Sequence, residues 1–439
     1  MDYKILARWA LGEDNRLIQN PTILVEGEKI VFVGPTKNAP PCNDVETIEV
    51  PKGLVVPPFL NAHTHLPETL IRGLCDDAAL HEWLFDHVWQ VEPAMTAIDA
   101  KIGALLGIAE MVQTGTVGFI DQYFYANEIA EAVSETGVKA FLSPSIFDGN
   151  PETKTIEAGF NRNKEIFDKW HGHGNRIFVG FGAHAPYTIP REWLTKIIDA
   201  AAERQTKVHI HLSETQKEVI DAKKEWGCSP IEYMDQLGGL PHSYAAHCVH
   251  TSAEDQELLV RHQTPVLSCP QCNLKIGSGI APIPEYLSKG VRVCLGTDGS
   301  ASNNNLDMLE EVRLTAILHN GVLRDPIAVP STKALELGTK NAADLLPDKT
   351  YSGVLAAGKP ADIAVVDLGT TNNTPVINPL SNWLFASHGN NVVLTISNGK
   401  ILYRDGMFLT LDVEDLRLKA QKSIDAMMAR ADYIPKSER

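Results

Sequence analysis

Between about residues 54 and 345 the chain alternates short apolar runs with longer amphipathic stretches, and this alternation constrains the fold more than any other feature. Eight runs can be counted: Leu54 to His63, Thr116 to Asp121, Val138 to Ile146, Ile177 to His184, Lys207 to Leu212, Tyr244 to His247, Thr264 to Cys269 and Arg292 to Thr297. Apolar runs of this length read as strands buried on both faces of a parallel sheet. Stretches such as Ile98 to Thr114 and Glu192 to Glu203 read as the connecting helices. An α/β fold of the (β/α)8 TIM-barrel type is therefore expected, with a doubly wound open sheet as the alternative.

The ends of the chain have another texture. Thr22 to Gly34 is two apolar runs around a glycine turn, a hairpin signal, and the pattern returns at Ala361 to Leu368 and Val392 to Leu402 with an Asn398-Gly399 turn. One small β-sandwich built from both termini is expected, comprising residues 1-55 and 349-439 with a C-terminal helix, around a barrel over 56-348.

Thirty-nine Lys+Arg against 55 Asp+Glu give a formal charge of -16, a repulsive field for any polyanion, so neither nucleic acid nor an anionic membrane is an expected partner. No apolar stretch is long enough to span a bilayer and no signal-peptide pattern opens the chain, which makes a cytoplasmic protein the expectation. Seven scattered cysteines, an odd number, point to reduced thiols.

Chemically capable side chains gather at the carboxyl ends of the runs, where such a barrel carries its active site. The first run ends in His63-Thr64-His65, the fourth in His184, the fifth in His209-Ile210-His211 followed by Glu214, the sixth in His247 and the eighth in Asp298. Residues two apart on a strand face one side, so His63 and His65 can clamp a metal ion. Of His209 and His211, we expect His211 in the site, three residues before Glu214, and His209 one layer deeper as a hydrogen-bonded core residue. Asp298 can both bind metal and accept a proton from water. Sequence signatures of phosphate loops, dinucleotide folds, zincins and serine hydrolases are missing. Cys269-Pro270-Gln271-Cys272 lacks the His-x-Glu of cytidine-deaminase zinc sites and is expected to pack or line the pocket.

These residues resemble the amidohydrolase superfamily, and within it the methylthioadenosine/S-adenosylhomocysteine deaminase family. The resemblance runs through Asn61-Ala62-His63-Thr64-His65-Leu66-Pro67, Gly182-Ala183-His184-Ala185-Pro186-Tyr187, His211-Leu212-Ser213-Glu214-Thr215, Asn273-Leu274-Lys275 and Gly296-Thr297-Asp298-Gly299-Ser300-Ala301-Ser302-Asn303-Asn304. It implies a barrel flanked by a β-sandwich from both termini. It also implies that His63, His65, His211 and Asp298 bind one divalent metal, typically zinc, and that Glu214, His247 and Asp298 are catalytic. Glu92, His184, Glu214, Asp298 and Ser302 would contact the substrate, with Glu92 on the ribose hydroxyls. The activity implied is hydrolysis of a C–N bond in a cyclic amidine, turning an adenosine-type nucleoside into its inosine analogue and ammonia. A small-molecule nucleoside is then the expected partner; the sequence leaves homo-oligomerisation open.

The stretch Leu142 to Pro151 lacks the arginines with which S-adenosylhomocysteine-accepting members hold the amino-acid carboxylate. Neutral 5′-substituted adenosines such as 5′-methylthioadenosine, 5′-deoxyadenosine or adenosine are favoured accordingly, with Lys154 and Arg162 as the cations that could substitute. Trp83, Phe85 and Trp89 read equally as an aromatic lid or as helix packing. Arg72 reads as a ligand contact or as a partner of Asp76 or Asp77. Two further functions fit the same residues: a hydrolase of another amino- or halo-substituted heterocycle such as guanine or a triazine, and a catalytically inactive nucleoside-binding protein.

Overall fold

The computed structural model describes residues 2–42 and 45–433. Pro57 and Pro58 offer no backbone N–H to a ladder, and they divide the first apolar run in two. Glu46–Val56 pairs with Ile363–Asp367 in a sheet made by the termini, whereas Phe59–Thr64 (β1) opens the barrel. The barrel thus begins a few residues later than the apolar run does.

Seven strands follow: Thr116–Tyr123 (β2), Lys139–Ile146 (β3), Ile177–Val179 continued as Phe181–Ala183 (β4), Val208–Leu212 (β5), Ser243–His247 (β6), Val266–Ser268 (β7) and Val293–Leu295 (β8). Each lies parallel to the next in chain order, with registers such as His211 opposite Ala246 and Leu212 opposite His247. A consecutive order excludes the doubly wound alternative, in which the order reverses within the sheet. The circle closes where Asp298 N–H donates to the His63 carbonyl at 2.9 Å. That approach requires a glycine before it, because a Cβ on Gly296 would fall 2.4 Å from the His63 nitrogen. Leu60, Val117, Phe141 and Phe178 fill the lower barrel, and Tyr351 plugs it, its hydroxyl donating to Pro58 O at 2.7 Å.

The termini form one nine-stranded sheet. Its hairpin Pro21–Glu26 and Lys29–Pro35 curls over to meet the segment leading into Ile363–Asp367, with Ile30 N–H donating to Lys359 O at 3.0 Å. Ile5, Ile23, Val365 and Leu394 are enclosed by this curl, so the expected sandwich takes the form of one continuous folded sheet. A fully buried ion pair, Lys139 at the foot of β3 with Asp362, ties that sheet to the barrel, and Lys139 also donates to Thr350 O at 2.6 Å. The helix Val413–Ala431 follows the terminal strands in sequence but packs on the barrel helix Ala97–Gln113, where Arg430 reaches Asp99. Among the described residues no helix is long and apolar enough to cross a membrane.

Candidate active site

The β-strands deliver their terminal side chains to one pocket at the carboxyl end of the barrel. His65, Glu92, His184, His211, Glu214, His247, Asp298 and Ser302 line it, and His63 lies buried beneath them. All nine sequence-predicted site residues therefore meet. Two of them occupy the left-handed backbone region, His247 at φ 68° and Asp298 at φ 62°, so the chain turns sharply at each strand end while the side chain stays over the barrel mouth.

Asp298 Oδ1 lies 3.3 Å from His63 Nε2 and 3.2 Å from His65 Nε2, and His65 Nε2 lies 3.4 Å from His211 Nε2. The ligand atoms of His63, His65 and Asp298 are within 4.8 Å of one another, as are those of His63, His211 and His247. The far side of each ring is engaged. His65 Nδ1 meets Gln122 O at 2.6 Å, His211 Nδ1 meets His184 O at 2.7 Å and His63 Nδ1 meets His209 Nε2 at 2.7 Å. A ring that donates its Nδ1 proton to a carbonyl presents a lone pair at Nε2, the arrangement that metal-binding histidines use. His63 Nε2 is buried with no hydrogen-bond partner. An orphaned buried nitrogen beside a carboxylate and further imidazoles fits a divalent cation.

The electrostatics divide the residues into roles. Burial lowers His63 and His247 to about 4 and His184 to about 3, so these rings are neutral at pH 7. Burial pushes Asp298 upward, but the His63 and His65 rings beside its Oδ1 outweigh it and hold the carboxyl well below its usual range. Glu214 behaves oppositely: burial, aided by the Asp298 charge, pushes it up to about 8 against the hydrogen bond from Ser278 Oγ at 3.2 Å. Glu214 Oε2 is 3.6 Å from His247 Nε2. Asn273 Nδ2 donates to His247 Nδ1 at 3.1 Å, which leaves the ring proton on Nε2, facing the pocket. Burial also raises Glu92, whose carboxylate accepts the Tyr123 hydroxyl.

Some surrounding side chains had no role readable from sequence, although Asn273 stands in a stretch that carries the family resemblance. The contacts of Asn273 with His247 and of Gln122 with His65 appear only once the strands are side by side. His209 is the buried core residue expected, and it holds His63. Cys272 Sγ donates to Asp298 Oδ2 at 2.8 Å, which gives the Cys-x-x-Cys stretch a place against the site. Trp83 and Trp89 line the pocket, Trp89 stacked on Phe147 at 5.6 Å, whereas Phe85 is 41% exposed and lies outside the lining. Arg72 takes neither expected role: it forks onto Glu110 and donates to Asn304 O at 2.8 Å, while Asp76 pairs with Lys275 at 2.7 Å. Arg162 is held by Glu152 and Glu165, Lys154 is not in the lining, and no Lys or Arg among the described residues lines the pocket.

A metal-competent cluster at the mouth of a (β/α)8 barrel defines a class of hydrolases, and comparison places the chain within it. It belongs to the amidohydrolase family, whose model matches residues 54–402. The chain is 41% identical to a 5-methylthioadenosine/S-adenosylhomocysteine deaminase of Dictyoglomus thermophilum, over 93% of this chain and 95% of the relative. It is 38% identical to a 5′-deoxyadenosine deaminase of Methanobrevibacter smithii, over 92% and 93% respectively. Among solved structures, an adenosine deaminase from Xanthomonas campestris with bound zinc superposes with a TM-score of 0.93 at 30% identity, covering 98% of this chain and 99% of that one.

Proposed function

We propose that the protein is a metal-dependent deaminase that hydrolyses the exocyclic amine of adenosine-type nucleosides, releasing the inosine analogue and ammonia. The observation that carries this is the convergence of two buried carboxyls on the histidine cluster, Asp298 with Oδ1 3.3 Å from His63 Nε2 and 3.2 Å from His65 Nε2, and Glu214 with Oε2 3.6 Å from His247 Nε2 and its proton affinity raised by burial. Such a pair separates a proton acceptor from a proton donor within one pocket.

His63, His65, His211 and Asp298 would hold one divalent ion, zinc by analogy with the Xanthomonas relative. A bound divalent ion supplies Lewis acidity, lowering the pKa of water toward ~7. Asp298 takes a proton from the attacking water. Glu214 gives its proton to the ring nitrogen next to the attacked carbon, which makes that carbon electrophilic. His247, with its Nε2 proton facing inward, stabilises the oxygen as charge develops; Asp298 then passes its proton to the departing amine, the C–N bond breaks with loss of ammonia, and the hydroxyl proton returns to Glu214 as the carbonyl forms. Glu92 fits the ribose hydroxyls as a carboxyl aimed into the pocket, and His184 and Ser302 complete the nucleoside contacts.

The substrate's 5′ substituent is neutral on this proposal. Among the described residues the pocket wall carries four carboxyl groups, Glu68, Glu92, Glu214 and Asp298, and no Lys or Arg side chain, so the carboxylate of an amino-acid tail finds no charge-assisted partner there. The test is ammonia release from 5′-methylthioadenosine, 5′-deoxyadenosine, adenosine and S-adenosylhomocysteine, beside guanine and an aminotriazine, with the metal content measured. Turnover of the first three well above the rest is expected. Turnover of the free heterocycles alone would favour the other ring hydrolases, and a metal-loaded protein releasing no ammonia would favour a binding protein.

A further inference from the structure

Glu218 stands outside the pocket lining and has no part in the chemistry above, yet it is buried. It lies in the first turn of the helix Gln216–Trp226, just after β5. Thr215 caps that helix, its hydroxyl oxygen accepting the Glu218 N–H at 3.1 Å. In an ordinary capping box the carboxylate three residues on accepts the cap residue's own N–H. The helices capped by Thr96, Ser229 and Ser252 follow that rule, through Asp99, Glu232 and Asp255. Glu218 reaches further back: its Oε1 accepts the Ser213 N–H at 2.9 Å and its Oε2 the Glu214 N–H at 2.7 Å.

Those two N–H groups belong to the bend that aims Glu214. Ser213 occupies the left-handed backbone region at φ 52°, which residues with side chains rarely adopt, so neighbouring contacts must hold it there. On one side the His250 N–H donates to Ser213 O at 2.9 Å, extending the pairing of β5 with β6 past Leu212. On the other side Glu218 grips the N–H of Ser213 and of the next residue with one carboxylate. Beyond the bend Glu214 sends its side chain into the pocket, where Oε1 accepts the Ser278 hydroxyl at 3.2 Å and Oε2 lies 3.6 Å from His247 Nε2. Thr215 already caps the helix, so bonds made to the two residues before the cap serve the bend.

We propose that Glu218 is a positioning residue, whose carboxylate clamps the backbone of Ser213 and Glu214 and so holds the Glu214 carboxyl within reach of the base. This rests on the deaminase function proposed for the site. Proton transfer needs its partners about 2.6–3.2 Å apart, and a misplacement of about 1 Å can cost about 10²-fold in rate. A carboxamide at position 218 offers one acceptor oxygen to the two N–H groups and turns an NH2 toward the other, so the bend loses its two-point hold. Glu92 and His184 stand on other elements and keep their places, so the loss falls on kcat and spares KM.

The experiment measures kcat and KM for 5′-deoxyadenosine by ammonia release, with bound metal and the thermal midpoint, on the metal-loaded full chain. Wild type is compared with Glu218→Gln, Glu218→Asp, Glu214→Gln and the double variant Glu214→Gln/Glu218→Gln. Glu218→Asp keeps the charge but draws the carboxylate back by one methylene, and Glu232→Gln is the control that breaks an ordinary cap away from the pocket. Each Glu218 variant is expected to lower kcat by about 10-fold to 10²-fold, with KM within about threefold and bound metal unchanged. Glu232→Gln should turn over as wild type does. In the Glu214→Gln background, Glu218→Gln should lower kcat by less than about twofold, because a residue that acts through Glu214 then has no proton donor left to place. Equal losses with and without Glu214, an unaltered kcat, a loss carried by KM, or loss of folding or of metal in both Glu218 variants would each overturn the assignment while leaving the deaminase function standing. A wild type that releases no ammonia from any adenosine would overturn both.

Discussion

Around Glu214, burial and the Asp298 charge act together, and the carboxyl is pushed up to about 8. It is protonated at neutral pH and ionises as pH rises through that value. A required acid gives an activity that falls above it, so kcat/KM is expected to decline about tenfold per pH unit beyond pH ~8 in a pH–rate profile. Glu214→Gln should lower kcat by about 10² to 10⁴ with metal content unchanged, and near-full turnover in that variant would remove Glu214 from the mechanism. Asn273 acts one step further out, by keeping the His247 proton on Nε2. Asn273→Leu should cost about 10-fold to 100-fold in kcat, with KM and bound metal little changed. Glu214 and His247 were legible in the sequence because each stands at the end of an apolar run. Asn273 stood out only as part of a motif, and its contact to His247 was not legible, since it spans 26 positions and crosses between strands.

Five of the eight strands, β1, β4, β5, β6 and β8, carry candidate site residues at or just past their carboxyl ends, and these residues meet only if neighbouring strands keep register. The β8 to β1 closure is the narrowest of these contacts, with Asp298 N–H on His63 O and Gly296 against the His63 backbone. Gly296→Ala places a methyl group where backbone already lies. We expect about 1–3 kcal/mol of destabilisation from overpacking, together with weakened metal binding as His63 is displaced relative to Asp298. Thermal melts with and without added metal measure both, and an unaltered metal affinity would show that the closure does not position His63. Strand positions were readable from apolar runs, but the end of the first run was not. Leu54 and Val55 are as apolar as Phe59 and Leu60, and only the two prolines and the pairing of Val55 with Val365 put them in another sheet.

The whole molecule is held together by interfaces that join distant parts of the chain. Lys139 and Asp362, 223 positions apart, make a fully buried pair between the barrel foot and the terminal sheet. Removing one member leaves a charge buried without its counter-ion, so Lys139→Met should cost about 3–5 kcal/mol in denaturant unfolding, and the double variant with Asp362→Leu should recover much of that loss. A Lys139→Met variant as stable as wild type would mean that the two layers are joined by apolar packing alone. The barrel, the folding together of both termini and the strand-end histidines and carboxylates were determined by the sequence itself, because periodicity and strand-end position are local properties of the chain. The tertiary structure alone decided that Arg72 faces Glu110 rather than the pocket, that Cys272 touches Asp298 and that Glu68 lines the pocket. Those are contacts between residues far apart in sequence, and nothing in a residue's own neighbourhood records which distant side chain packing will bring against it.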